Sequence, residues 1–183
     1  MTAKRAFLVT GPPGCGKTTL VRRLVEELGV PAGGFYTQEL RARGRREGFG
    51  LTTLDGETAT LASVHIAGGP RVSRYGVNLA AMDEVATPAI ERAMAQAQLI
   101  VIDEIGKMEL LSNRFRQAVL AALGCGKPVL ATIMLAGQPW ADALKRRPEV
   151  SLLVLTEANR AQIAAEILPE LRRLLGEDAA SPR

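Results

Sequence analysis

Aromatic residues make up only 4% of this 183-residue chain, which has 18 glycines and 10 prolines. The interior must therefore be filled by Leu, Val, Ile and Ala, a composition suited to a parallel sheet covered by helices. Two cysteines, Cys15 and Cys125, cannot build a disulfide framework, and neither stands in a metal-ligand spacing. A single histidine, His65, rules out a histidine metal cage and reads as an ordinary loop or strand residue. No apolar run approaches the roughly 18 residues that a membrane span needs, so neither a span nor a secretory signal is expected. A reducing, cytoplasmic setting is the expectation. The formal charge of +4 is concentrated in Arg41, Arg43, Arg45 and Arg46 and not along a helix face, as in a solvated turn, so specific nucleic-acid binding is not expected.

What remains is a chain 47% hydrophobic and 23% charged, long enough to bury roughly 70% of its unfolded surface as one domain. Residues 1–175 are assigned to that domain and 176–183 to a frayed polar tail. Residues 5–10 form a buried-strand run that stops at Gly11. From Thr18 the apolar positions Leu20, Val21, Leu24, Val25 and Leu28 recur at helical spacing, and Gly29 and Pro31 end the helix. Gly34–Leu40 and Gly48–Leu54 predict a hairpin with an arginine-rich turn, and 57–62 a further short strand before the irregular Gly68-Gly69-Pro70. Residues 82–97 read as a helix interrupted near Pro88. Buried strands are expected at Leu99–Ile102, Pro128–Met134 and Val150–Thr156, and helices at Ser112–Leu123, Trp140–Arg146 and Ala158–Leu175. Strands alternating with helices imply an α/β fold, a three-layer sandwich around a mostly parallel sheet with an added antiparallel hairpin.

Gly11-Pro12-Pro13-Gly14-Cys15-Gly16-Lys17-Thr18 satisfies G-x-x-x-x-G-K-S/T at every fixed position, between a buried strand and an amphipathic helix. That context is what the motif's chemistry requires. Successive backbone N–H groups form an anion nest at the positive end of a helix, and the glycines let the main chain approach phosphate oxygens. Lys17 would reach the β- and γ-phosphates, and the Thr18 hydroxyl would ligate Mg²⁺. The run Leu99-Ile100-Val101-Ile102 delivers Asp103 and Glu104 from a second buried strand: Asp103 to orient the metal, Glu104 as general base for an attacking water. Thr132 is a polar residue in the next strand. It is a candidate γ-phosphate sensor if that strand lies between the other two, or simply a good β-former.

These residues resemble the small nucleoside-triphosphatase family of bacteria, archaea and animals, of the thermophilic and human cancer-related type. The likeness covers nearly the whole chain. It is carried by Gly11–Thr18, Gly34-Phe35-Tyr36-Thr37 with Gly48-Phe49, Arg74-Tyr75-Gly76-Val77-Asn78, Thr156 with Asn159-Arg160, and above all the block from Ile102 to Leu110. The resemblance implies a P-loop NTPase fold, RecA- or AAA-like, of the class with an additional strand and a catalytic glutamate after the metal-site aspartate. It implies Mg²⁺-dependent hydrolysis of ATP, GTP and other nucleoside triphosphates to diphosphate and phosphate, with broad base tolerance and slow turnover. Nucleotide binding is placed on Gly11, Pro12, Pro13, Gly14, Cys15, Gly16, Lys17, Thr18 and Thr19, and on Leu99, Ile100, Val101, Ile102, Asp103, Glu104, Ile105 and Gly106. The chain departs from the pattern after Ile133, where it has Met134-Leu135 and relatives can carry polar or basic residues.

Lys107, four residues past Asp103, is a candidate to swing onto the γ-phosphate in cis, and Arg74 and Arg160 are further candidates for that charge. No N-K-x-D sequence is present to read guanine, in keeping with loose base preference. Two other classes stay open. In a small-molecule kinase the arginines at 41–46, or Arg71 with Arg74, would form a lid; a nucleotide-gated RNA-binding module would use the basic hairpin turn. The expected state is a monomer.

Overall fold

The computed structural model describes residues 4–176. Its frame is one nine-stranded sheet in the order β5-β6-β4-β3-β2-β7-β8-β1-β9. Strand β1 (Ala6–Thr10) runs into the glycine loop and helix α1 (Lys17–Leu28). The long strands β2 (Ala32–Ala42) and β3 (Arg45–Thr53) form the expected hairpin, followed by β4 (Thr58–Ser63), β5 (Arg71–Val72) and β6 (Tyr75–Val77). A helical stretch then passes through α2 (Leu79–Ala81), a π turn (Met82–Ala86) and α3 (Thr87–Gln96) to β7 (Leu99–Ile105). The chain closes with a 3₁₀ turn (Glu109–Leu111), α4 (Asn113–Gly124), β8 (Val129–Ile133), α5 (Pro139–Lys145), β9 (Val150–Val154) and α6 (Arg160–Leu175).

The alternation of side chains along the parallel strands divides the core. Ala6, Leu8, Ile100, Ile102, Val129, Ala131 and Ile133 join α3 and α4 residues such as Ile90 and Phe115. Phe7, Val9, Leu99, Val101 and Leu130 pack on the opposite face with Leu20, Leu24, Ile163 and Ile167 of α1 and α6. These are the three layers expected. Strand β8 lies between the loop strand β1 and the Asp-Glu strand β7, pairing parallel with both, as the additional-strand class requires.

Several expectations change in detail. The sheet is mixed: β2, β7, β8, β1 and β9 are parallel, whereas β3, β4, β6 and β5 are antiparallel. The hairpin is no separate addition, because β2 pairs with β7 on one edge and with β3 on the other. Strands β5 and β6 follow the segment read as irregular; at two and three residues they are too short to show a period. The helix before Pro88 begins at Leu79, capped by the Asn78 side chain, and the Thr87 N–H reaches back to the Met82 carbonyl in the π turn. Strand β7 continues past Ile102 through Asp103 and Glu104 to Ile105. Helix α6 starts at Arg160 and contains Pro169, and Gly176 caps its end with φ 79°. The remainder of the tail read as frayed, 177–183, lies outside the described residues. Cys15 is buried and Cys125 exposed, both with free thiols, and His65 lies in a turn with its Nε2 3.1 Å from Glu47 Oε2.

Candidate nucleotide-binding and hydrolytic site

The loop after β1 delivers its amides to the first turn of α1. Gly16, the residue before the helix, has φ 98°, a conformation that side chains rarely adopt. Lys17, the first helical residue, donates from Nζ to the Gly11 carbonyl (3.0 Å) and the Pro12 carbonyl (3.2 Å), so the ammonium lies over the loop. Arg160, at the start of α6, donates from Nε to the Cys15 carbonyl at 2.8 Å and clamps the loop from the other side. Arg160 and the loop glycines Gly14 and Gly16 line a cleft of about 250 Å³ together with Thr19, Leu20 and Arg23. Asn159 fixes the turn that carries Arg160. Its Oδ1 accepts from the Thr156 N–H at 2.8 Å and its Nδ2 donates to the Val154 carbonyl at 2.9 Å.

Asp103 is the convergence point of three elements. It is fully buried. The Thr18 hydroxyl donates to its Oδ2 at 2.9 Å, the Thr132 hydroxyl donates to its Oδ1 at 2.5 Å, and the backbone N–H of Thr37 on β2 donates to the same carboxylate. Burial pushes its proton affinity above the ordinary aspartate range, and the hydroxyls of Thr132 and Thr18 work against that shift. The structure thus gives Thr132, read above as either a γ-phosphate sensor or a β-former, a partner at Asp103. An oxygen-only donor set of one hydroxyl and one carboxylate fits a hard divalent cation such as Mg²⁺.

Between Ile102 and Ile105, β7 uses three steps where β8 uses two, pairing Ile102 with Ala131 and Ile105 with Ile133. Such a bulge re-aims side chains, and Asp103 and Glu104 are the residues it contains. The peptide joining them is cis. Glu104 is raised above the usual glutamate range, first by burial and then by the neighbouring Asp103, with Lys17 opposing. Lys17 and Glu104 are therefore close enough to feel one another's charge. Lys107 is exposed on the turn that follows.

Other candidates stand elsewhere. Arg74 donates to the Arg46 carbonyl (2.6 Å) and the Tyr75 hydroxyl (3.2 Å) beside β6, which five strands separate from β1. Arg71 donates to the Arg74 carbonyl at 2.5 Å. These contacts hold both guanidinium groups away from the loop. Arg41 and Arg46 pair with the two oxygens of Glu39, each at 2.6 Å, so one carboxylate holds two of the four arginines of the basic turn. Sequence reasoning did not single out Arg22, whose guanidinium lies 4.3 Å from the Tyr36 ring centre beside Asp103, nor the buried Glu109. An acidic residue between Met108 and Leu110 was the signal for the latter.

The NTPase family matches residues 6–168. The chain belongs to this family. Among curated NTPase relatives, nucleoside-triphosphatase THEP1 of Thermotoga sp. strain RQ2 is 45% identical over 171 residues, 93% of this chain and 98% of that protein. THEP1 of Pyrococcus abyssi is 45% identical over 174 residues, 93% and 94% of the two chains. The crystal structure of THEP1 from Aquifex aeolicus superposes with a TM-score of 0.84 at 39% identity, covering 92% of this chain and 99% of that one. The solution structure of a human cancer-related nucleoside triphosphatase gives 0.78 at 39% identity, covering 93% and 98%. In this NTPase chain the loop, Asp103 and Glu104 all fall inside the matched span.

Proposed function

We propose that this chain is a Mg²⁺-dependent nucleoside-triphosphate phosphohydrolase, which cleaves the γ-phosphate of ATP, GTP and other nucleoside triphosphates to diphosphate and phosphate. It is a monomer that works slowly in the cytoplasm with broad base tolerance. The observation that carries this reading is Glu104. A carboxylate beside the buried Asp103, within the charge field of Lys17, is placed to accept a proton from water next to a bound phosphate.

In this reading each step belongs to a named residue. The loop amides and the N-terminus of α1 bind the polyphosphate, and Lys17 exchanges its contacts with the Gly11 and Pro12 carbonyls for phosphate oxygens. Thr18 and Asp103 are the residues that would hold Mg²⁺, which would neutralise charge on the phosphates. Thr132 and the Thr37 amide keep Asp103 oriented. Glu104 takes the proton of the attacking water, and Lys107 supplies further positive charge from the adjoining turn. The cleft beside Arg160 receives ribose and base. Its polar side chains, Thr19, Arg23 and Arg160, offer hydroxyl and guanidinium donors and no carboxylate to read one base over another.

Phosphate release measured over all common NTPs and dNTPs, with and without Mg²⁺ and with no added acceptor, tests the proposal. Wild type should release phosphate in every case that contains Mg²⁺. Lys17→Ala should lose tight nucleotide binding, and Glu104→Gln should bind normally but turn over roughly 10²-fold or more slowly, the scale of a lost general base. Nucleotide consumption that requires a phosphate acceptor would replace hydrolysis with a kinase reading.

A further inference from the structure

Behind Glu104 lies a second carboxyl that the reaction above does not use. Glu109 opens the 3₁₀ turn after β7 and is only 6% exposed. Its carboxylate accepts the backbone N–H groups of Gly106 and of Glu109 itself, and the Leu110 N–H donates to the Gly106 carbonyl at 3.0 Å, so the side chain closes the turn that follows the base. No salt bridge reaches it among the described residues. Arg116 of α4 binds this turn at the Leu110 carbonyl (2.6 Å), and its guanidinium faces the Trp140 ring. Lys107 on the same turn is exposed.

Gly106 shows how close the two acids come. A Cβ on that residue would lie 2.7 Å from Glu104 Oε1 and 2.8 Å from Glu109 Oε2. The two carboxyl groups thus close on one point, and only a residue without a side chain leaves room for both. The charged groups that bear on Glu109 are Glu104 and Asp103, both of β7 and both negative. A buried carboxyl with two acidic neighbours and no cation is held most cheaply as the neutral acid.

We propose that Glu109 is a positioning residue for the general base: carrying its proton, it pins the Gly106 turn and presents a neutral group to Glu104, and loss of that proton impairs hydrolysis. The inference rests on the reading of Glu104 given above. Burial, followed by the charge of Glu104, pushes Glu109 up to about 8, so the change falls on the alkaline side of neutrality. The new negative charge then stands against the Glu104 carboxylate.

The test is the pH dependence of kcat and KM for wild type, Glu109→Gln, Glu109→Ala and Glu104→Gln, with thermal unfolding of each. In wild type kcat should fall roughly tenfold per pH unit above about 8, approaching 10²-fold over two units, as expected when one group must stay protonated. Glu109→Gln keeps the shape and cannot ionise. It should lose a few-fold in kcat near neutrality, keep KM, and lack the alkaline fall; Glu109→Ala should lose roughly 10²-fold, a deficit that Gln largely rescues. An alkaline fall retained in Glu109→Gln, or failure of that variant to fold, would overturn the inference while leaving Glu104 as base. Glu104→Gln hydrolysing at the wild-type rate would instead remove the base, and with it the role assigned to Glu109.

Discussion

Where β7 and β8 meet the glycine loop, polar side chains point inward and meet one another: Thr18 and Thr132 both donate to a buried Asp103, and Glu104 and Glu109 meet across Gly106. In the hairpin that the far end of β2 forms with β3, and beside β6, the charged groups lie outside. Arg41 and Arg46 share the exposed Glu39, and Arg46 and Arg74 both donate to the Tyr75 hydroxyl. The same count of contacts has different consequences in the two places. An interior polar group that loses its partner bears the full desolvation cost, whereas an exposed arginine returns to water at little expense. The proposed chemistry therefore lies where the sheet is covered on both faces, and the arginine-rich half is held by exposed contacts.

The sharpest way to break this contrast is Asp103→Ala, which removes the carboxylate at the convergence of three elements. Phosphate release should fall on the order of 10²- to 10³-fold, the loss expected when a metal-holding group is deleted. Next comes stability against pH. In the unfolded chain Glu109 gives up its proton near the ordinary glutamate value of 4.5, but in the folded chain only near 8. Between these values the folded state binds more protons, so unfolding free energy should decline as pH rises, by about 3–5 kcal/mol in all, and stay level above. Denaturant titration of wild type and Glu109→Gln across that window checks the point; the variant should lack this decline. Thr132→Val should leave Asp103 one donor short and cost about 1–3 kcal/mol in the same measurement. Neutralising Arg41, Arg43, Arg45 and Arg46 together should change turnover little, shift stability by less than about 1 kcal/mol, and leave RNA affinity weak and insensitive to nucleotide. A large salt-sensitive loss of RNA binding would erase the distinction between the halves.

The residues legible from sequence were those whose meaning is local. The eight positions Gly11–Thr18 specify a backbone shape and its charges within one turn, and the apolar run before Asp103 announces a buried strand end. Thr132 needed the strand order before its role could be read: once β8 is known to lie between β1 and β7, its hydroxyl can face only the acid beside it. Gly34 reads as the first residue of the hairpin, and the strand in fact begins at Ala32. A glycine is required at position 34 because the chain passes so near β7 that a Cβ on Gly34 would stand 1.9 Å from the Val101 carbonyl oxygen. Arg74 had the right charge and the wrong end of the sheet, and Glu109 had no periodic pattern to distinguish a buried acid from a solvated one.

Strand β2 has both edges occupied, by β3 and by β7, with Tyr36 in register with Asp103 and the Thr37 amide bonded to that carboxylate. Its far end carries the arginine-tipped turn. The arm and the acid are consequently two ends of one rigid lever: a force that slides the tip along the strand must shear the β2–β7 ladder at the very rung where the buried Asp103 carboxylate is seated.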